Sequence, residues 1–142
     1  AESPGRMRLI RELLGTWPDG RIKMFVTWAL LQLRKQHAQT FLSGSYRSLR
    51  VGGRRRNSLV AYARDDIIIV APRLVYPIFK RTDEGMPYLD WTNEYIALTA
   101  KLPRRYTNIF TNAEVRIENE RRPRLDAVNL LKDFPVAVLL PA

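Results

Sequence analysis

Few residues in this sequence have side chains suited to chemistry. His37 is the only histidine and there is no cysteine, which excludes disulfides, thiolate metal sites and triads built on several histidines. His37 falls in the last turn of an amphipathic segment, where a helix dipole favours positive charge, so it reads as a cap. Gly52-Gly53 leads into arginines and a strand, not into a helix start, so it is not a phosphate loop. Neither a metal nor another cofactor is expected. Paired carboxylates remain, because glycoside chemistry needs two of them across a scissile bond. The candidates are Asp65-Asp66, Asp83-Glu84, and Glu114, Glu118 and Glu120. All fall in predicted turns, loops or a surface hairpin, not in the apolar setting that raises a carboxylic acid's pKa. No catalytic residue is assigned. Aromatic faces can stack on sugar rings, and Trp17, Trp28 and Trp91 are available. Helix packing accounts for Trp28 and a connector for Trp17. Trp91, between Asp90 and Thr92 after a loop, is the candidate sugar contact.

The elements that must position these residues begin with a helix from Asp19 to His37. Ile22, Phe25, Val26, Ala29, Leu30 and Leu33 recur at the i, i+3, i+4, i+7 spacing of one face. Asp19 is the predicted N-cap. Met24, Trp28 and Leu31 form a second apolar row on another side. Two stripes imply burial on two sides, and the strands that follow supply a partner for only one. A shorter helix from Ser3 to Gly15 precedes it, with Met7, Ile10, Leu13 and Leu14 on one face, and Trp17-Pro18 connects the two. Phe41-Leu42 is expected to fold back onto the core.

After Gly44 the period changes to alternation. Tyr46, Leu49 and Val51 suggest one strand. Leu59–Ala63 and Ile67–Ala71 flank Arg64-Asp65-Asp66 as a hairpin, and the second run, apolar on both faces, belongs at the sheet centre. Residues 76–90 read as an irregular loop. A strand at Tyr95–Thr99 and a hairpin of Tyr106–Phe110 with Ala113–Ile117 follow. Leu125–Leu131 fits either a helical turn or a strand, and Phe134–Leu140 is a buried last strand. The expectation is a mainly β protein with N-terminal helices: a helical segment over 1–42 and an antiparallel β-sandwich domain over 43–142.

The 142 residues suffice for one domain with an appended element, and a hydrophobic fraction of 46% suffices for its core. No apolar run approaches the roughly 20 residues of a membrane span, and no signal-peptide pattern opens the chain. A reducing, cytoplasmic setting is expected from the lack of cysteine. The chain begins at Ala1 instead of methionine, as a piece cut from a longer protein would. A net charge of +10 permits a nucleic-acid surface, but apart from Arg54-Arg55-Arg56 and Arg121-Arg122 the basic residues are dispersed. Nucleic acid is therefore not the expected partner.

The order of several motifs carries a resemblance. Trp17-Pro18-Asp19-Gly20-Arg21-Ile22-Lys23 opens a helix containing Phe25-Val26-Thr27-Trp28-Ala29-Leu30-Leu31-Gln32-Leu33-Arg34. Gly44-Ser45-Tyr46, Leu59-Val60-Ala61-Tyr62-Ala63-Arg64, Val70-Ala71-Pro72-Arg73 and Asp133-Phe134-Pro135-Val136-Ala137-Val138-Leu139-Leu140 follow. This set resembles the C-terminal end of the maltooligosyl trehalose synthases, in the α-amylase superfamily of glycoside hydrolases. The resemblance covers nearly the whole chain. It implies a catalytic (β/α)8 barrel followed by a C-terminal β-sandwich of the α-amylase type. The central helix would then match the last barrel helix, and Met24, Trp28 and Leu31 would face the barrel. It also implies a parent reaction: isomerising the reducing-end α-1,4 linkage of a maltooligosaccharide to an α,α-1,1 linkage, in trehalose biosynthesis. The family's catalytic carboxylates lie on barrel strands, as is usual for that fold, and none maps onto this sequence. The Arg54-Arg55-Arg56 loop and the Arg64-Asp65-Asp66 turn depart from the pattern in surface loops. On this reading the chain is a non-catalytic portion whose partner is the barrel and whose parent substrate is a maltooligosaccharide. The alternative is a stand-alone basic sandwich module for nucleic acid, or for glucan through Trp91.

Overall fold

A computed structural model describes residues 4–142; Ser3, expected to begin the first helix, lies outside them. Helix α1 spans Pro4–Gly15, with proline at a first-turn position where its missing N–H costs nothing. A 3-10 turn, Trp17–Asp19, leads into α2, Arg21–Gln36. The residue before α2 is Gly20, with φ of 82°, not Asp19 as expected. The preceding turn already holds Asp19, and the reversal after it requires a left-handed residue, which glycine adopts cheaply. Asp19 still serves the helix start: its Oδ1 accepts the Arg21 backbone N–H at 2.9 Å and its Oδ2 the Arg21 Nε–H at 2.8 Å. The His37 N–H closes α2 onto the Leu33 carbonyl, and the chain turns there into α3, Ala38–Ser43.

Eleven short strands follow among the described residues. They are β1 (Tyr46–Ser48), β2 (Val51–Gly52), β3 (Leu59–Arg64), β4 (Ile67–Pro72), β5 (Phe79–Arg81), β6 (Pro87–Leu89), β7 (Tyr95–Ala97), β8 (Arg105–Asn108), β9 (Glu114–Arg116), β10 (Arg124–Asp126) and β11 (Ala137–Pro141). A short helix, α4 (Ala127–Leu130), separates the last two. An antiparallel six-stranded sheet runs β1-β3-β4-β11-β8-β9, a second sheet runs β10-β7-β2, and β5 pairs with β6.

Further sequence expectations change, and one is Leu42, which is exposed instead of folded onto the core. The strand expected over Tyr46–Val51 is two strands in different sheets, because the chain crosses between layers at Leu49-Arg50. The loop expected over 76–90 contains the β5–β6 hairpin, whose few residues and two prolines hide an alternating pattern. Leu125–Leu131 is both alternatives in succession, β10 and then α4. Leu30, assigned to the buried stripe of α2, is exposed, because that stripe is only wide enough for Ala29 and Leu33 at its centre.

The six-stranded sheet is the middle layer. On β3, Leu59, Ala61 and Ala63 point one way, joined by Ile68 and Val70 of β4 and by Ala137 and Leu139 of β11. They meet Ile96 of β7 and Leu125 of β10, so the core between the two sheets is continuous. Ile67 and Ile69 of β4 and Val138 and Leu140 of β11 point the opposite way, as the two-residue period requires. There they meet Ile10 of α1 and Ala29 and Leu33 of α2. The two middle strands, β4 and β11, are therefore apolar on both faces. Phe110 and Phe134 stack at 4.9 Å between sheet and helices, and Phe25 meets each edge-on, at 6.1 and 6.0 Å. Arg64 at the end of β3 donates to the carbonyls of Thr40, Phe41 and Gly44, satisfying the C-terminal end of α3.

Candidate functional site

Trp91 follows β6 in a segment anchored from two directions. The Asp90 N–H donates to the Ile78 carbonyl at 2.8 Å. Below it lies Glu94, 1% exposed. The Glu94 carboxylate accepts the Thr92 N–H at 2.8 Å and, across the chain, the Arg55 N–H at 3.0 Å. Burial pushes the Glu94 carboxyl upward, but the N–H donors of Thr92, Glu94 and Arg55 outweigh it and hold the group below the ordinary glutamate value. Gly53 lies against this contact with φ of 108°, and a Cβ there would come within 2.8 Å of the Glu94 Cα. The middle arginine of the Arg54-Arg55-Arg56 loop is thus a structural tie. Its guanidinium donates to the Asp90 carbonyl and lies 3.5 Å from the Asp90 carboxylate, which Lys80 also engages at 2.6 Å. The Lys80 hydrogen bond, against a smaller effect of burial, lowers the Asp90 pKa.

Held in this way, Trp91 is 7% exposed and lines a cavity of about 490 Å³. Leu14 and Ile22 supply the helical wall with Trp17, while Phe79 and Tyr88 supply the hairpin wall. The residues from Leu131 to Pro135 close the third side. The walls are aromatic and aliphatic, with Asp90, Lys132 and Asp133 as their charged members. Trp17 and Phe79 meet edge-on at 6.1 Å, and the Arg81 guanidinium lies 5.3 Å from the Trp17 ring. The Trp91 Nε1–H is buried with no hydrogen-bond acceptor among the described residues.

On the far side of α2, Met24, Trp28 and Leu31 are exposed by 72%, 57% and 59%. They face away from the sheet that buries Ala29 and Leu33. The structure therefore separates the sequence candidates: Trp91 is internal beside a cavity, whereas the other three form an outward apolar row. The helical layer over residues 4–43 carries seven Arg and Lys against two carboxylates, so this row is framed by positive charge.

The paired carboxylates occupy a different electrostatic setting. Asp65 lies in the β3–β4 turn with φ of 48°, and its Oδ1 accepts the Ser45 N–H at 2.9 Å, which lowers its pKa. Glu114 accepts from Arg116 at 2.8 Å and from Arg105 at 3.1 Å, and these two bonds lower its pKa as well. Lowered values keep these groups ionised, the opposite of what a general acid at neutral pH requires. Sequence reasoning did not single out Glu94 or the aromatic cavity. Glu94 follows Thr92 and Asn93 in a polar run, and only the approach of Arg55, 39 positions away, reveals its burial. No helix among the described residues is long and apolar enough to cross a membrane.

These layers define an antiparallel β-sandwich whose larger sheet is covered by helices. The same arrangement occurs in part of a much longer enzyme. The structure of maltooligosyltrehalose synthase from Arthrobacter ramosus matches with a TM-score of 0.58 and 21% identity, covering 80% of this chain and 13% of that one. A mutant of the same enzyme matches with a TM-score of 0.56 and 21% identity, covering 79% of this chain and 12% of that one. At this identity the likeness is one of fold, and the chain corresponds to about an eighth of the enzyme's length. No protein-family model and no curated protein sequence matches the chain.

Proposed function

We propose that this chain is the non-catalytic, C-terminal portion of an enzyme that isomerises the reducing-end α-1,4 linkage of maltooligosaccharides to an α,α-1,1 linkage. In this reading residues 1–42 are the end of a catalytic barrel and residues 43–142 are the sandwich that braces it. The observation that carries the proposal is the outward row of Met24, Trp28 and Leu31 on a helix whose opposite face is already buried. Contiguous exposed apolar residues on a folded protein mark a docking surface. The partner is the barrel of the same polypeptide, presenting apolar side chains edged by carboxylates to match the surrounding Arg and Lys. The fold shared with part of maltooligosyltrehalose synthase supports this assignment.

Retaining glycosyl transfer needs a nucleophilic carboxylate and a second carboxyl group about 5 Å apart around the sugar. Asp65, Glu94 and Glu114 are held by backbone N–H donors or arginines. The test is to incubate the purified chain with maltopentaose and follow reducing ends, beside the longer polypeptide encoded by the same reading frame. Reducing ends should disappear only with the longer polypeptide, and Trp28→Lys should lower its thermal stability while leaving that of the 142-residue chain unchanged. A protein-dependent loss of reducing ends with the short chain alone would overturn the reading.

A further inference from the structure

We infer that the cavity between the helical layer and the β5–β6 hairpin binds a small amphipathic carboxylate, its aliphatic or aromatic body inside and its charged end at the rim. The body is read from the walls. At about 490 Å³ the cavity lies within the range of small-ligand sites, and its lining is mostly aliphatic and aromatic. Phe79, Tyr88 and Val128 in that lining are large apolar side chains left exposed, so the mouth is apolar as well. Such a lining draws hydrocarbon out of water and gives a wholly polar ligand few partners. A free phosphate or a nucleic-acid strand would leave most of it unused.

The head group is read from the charges. Arg55, Lys80, Arg81 and Lys132 lie in or beside the walls against two carboxylates, Asp90 and the half-buried Asp133. Asp90 is taken up by Lys80 and Arg55. Arg81 is placed differently. Its guanidinium lies over two wall residues, 5.3 Å from the Trp17 ring and 5.7 Å from the Phe79 ring, and it pairs with no carboxylate among the described residues. Stacking on the rings fixes the charge at the rim and leaves its N–H fork for a planar carboxylate. Lys132, exposed on the third wall, adds a second positive charge without an ion pair there. The buried Trp91 indole N–H, also in the lining, lacks an acceptor. An anionic head matches this surplus of positive charge and brings acceptors with it, whereas a cationic head would be repelled by Arg81 and Lys132.

Decanoate is the probe, and the three tryptophans report where it binds. In an ¹⁵N-labelled sample of the 142-residue chain, decanoate below its micelle concentration should shift the Trp17 and Trp91 indole N–H resonances saturably. It should leave that of Trp28, on the outward row, in place. Affinity should rise about fourfold for each methylene from hexanoate to decanoate, as more chain leaves water. Decanol should bind about tenfold more weakly than decanoate, and decyltrimethylammonium more weakly still. Arg81→Gln, at an exposed strand position, should weaken decanoate about tenfold and leave decanol unchanged, the loss of one charge-assisted contact. Unmoved Trp17 and Trp91 resonances, an equal shift of Trp28, decanol binding as tightly as decanoate, or full decanoate affinity in Arg81→Gln would overturn the site. The measurement contains no glucan, so its outcome is independent of the reducing-end experiment and of the function proposed above.

Discussion

Removing the Glu94 carboxylate should unfasten the segment that carries Trp91. In the native chain it accepts two backbone N–H groups, from Thr92 at 2.8 Å and Arg55 at 3.0 Å, and it is 1% exposed. Hydrogen bonds to a charged acceptor contribute about 1.5–3 kcal/mol each. Both donors lie in part-buried loops, where water can reach them after truncation, so the lower end of that range applies. Glu94→Ala should therefore cost about 3 kcal/mol, and for a chain of this size each kcal/mol lowers Tm by roughly 3–4 °C, a total of about 10 °C. Urea denaturation followed by circular dichroism gives the free energy directly. Glu94→Gln keeps the shape and one acceptor, so it should lose about half as much. The pH dependence has a definite sign. The folded pKa lies below the ordinary 4.5, so the carboxylate's contribution is complete above that value and disappears as pH falls through the folded pKa. The stability gap between wild type and Glu94→Gln should therefore narrow on acidification below about pH 4.5. A Glu94→Ala protein within about 0.5 kcal/mol of wild type, the ordinary scatter of surface substitutions, would refute the reasoning. So would a gap that widens in acid.

Gly53→Ala should destabilise the same region by about 1–3 kcal/mol, since alanine disfavours φ of 108° and its Cβ would press on the Glu94 backbone; urea denaturation checks this. The Tyr106 hydroxyl is buried without a partner, so Tyr106→Phe should be neutral or stabilising by up to about 1 kcal/mol in the same assay. Burial, with Asp66 adding to it, raises the Tyr106 pKa, and its phenolate absorbance should therefore appear last among the tyrosines in an alkaline titration. Any complex with DNA should be weak, indifferent to sequence and steeply lost with salt, because dispersed arginines release counterions without reading bases; a gel-shift titration in rising salt measures it.

The residue pattern alone determined the parts of this protein that depend on local period. The three-to-four spacing of Ile22, Phe25, Ala29 and Leu33 specifies the buried face of α2. The doubly apolar run at Ile67–Val70 specifies a strand in the middle of its sheet. The unmatched row of Met24, Trp28 and Leu31 was also visible there, because a helix displays both its faces in its period. Tertiary structure decided what local period does not encode. Leu49-Arg50 carries the chain between two sheets, although the spacing of Tyr46, Leu49 and Val51 does not mark the crossing. The β5–β6 hairpin became visible only through pairing between strands of three residues each. Trp91 lies in a polar, loop-like context, but it is buried in the core between the sheets and lines the cavity that the helices, the hairpin and the 131–135 segment enclose. Glu94 is internal, and its carboxyl is held below the ordinary value against burial by the adjacent Thr92 N–H and by a further N–H that the arginine loop brings from 39 positions away. Periodicity records which face of an element is apolar; which distant element covers that face, and what cavity remains between them, depends on three-dimensional closure of the chain.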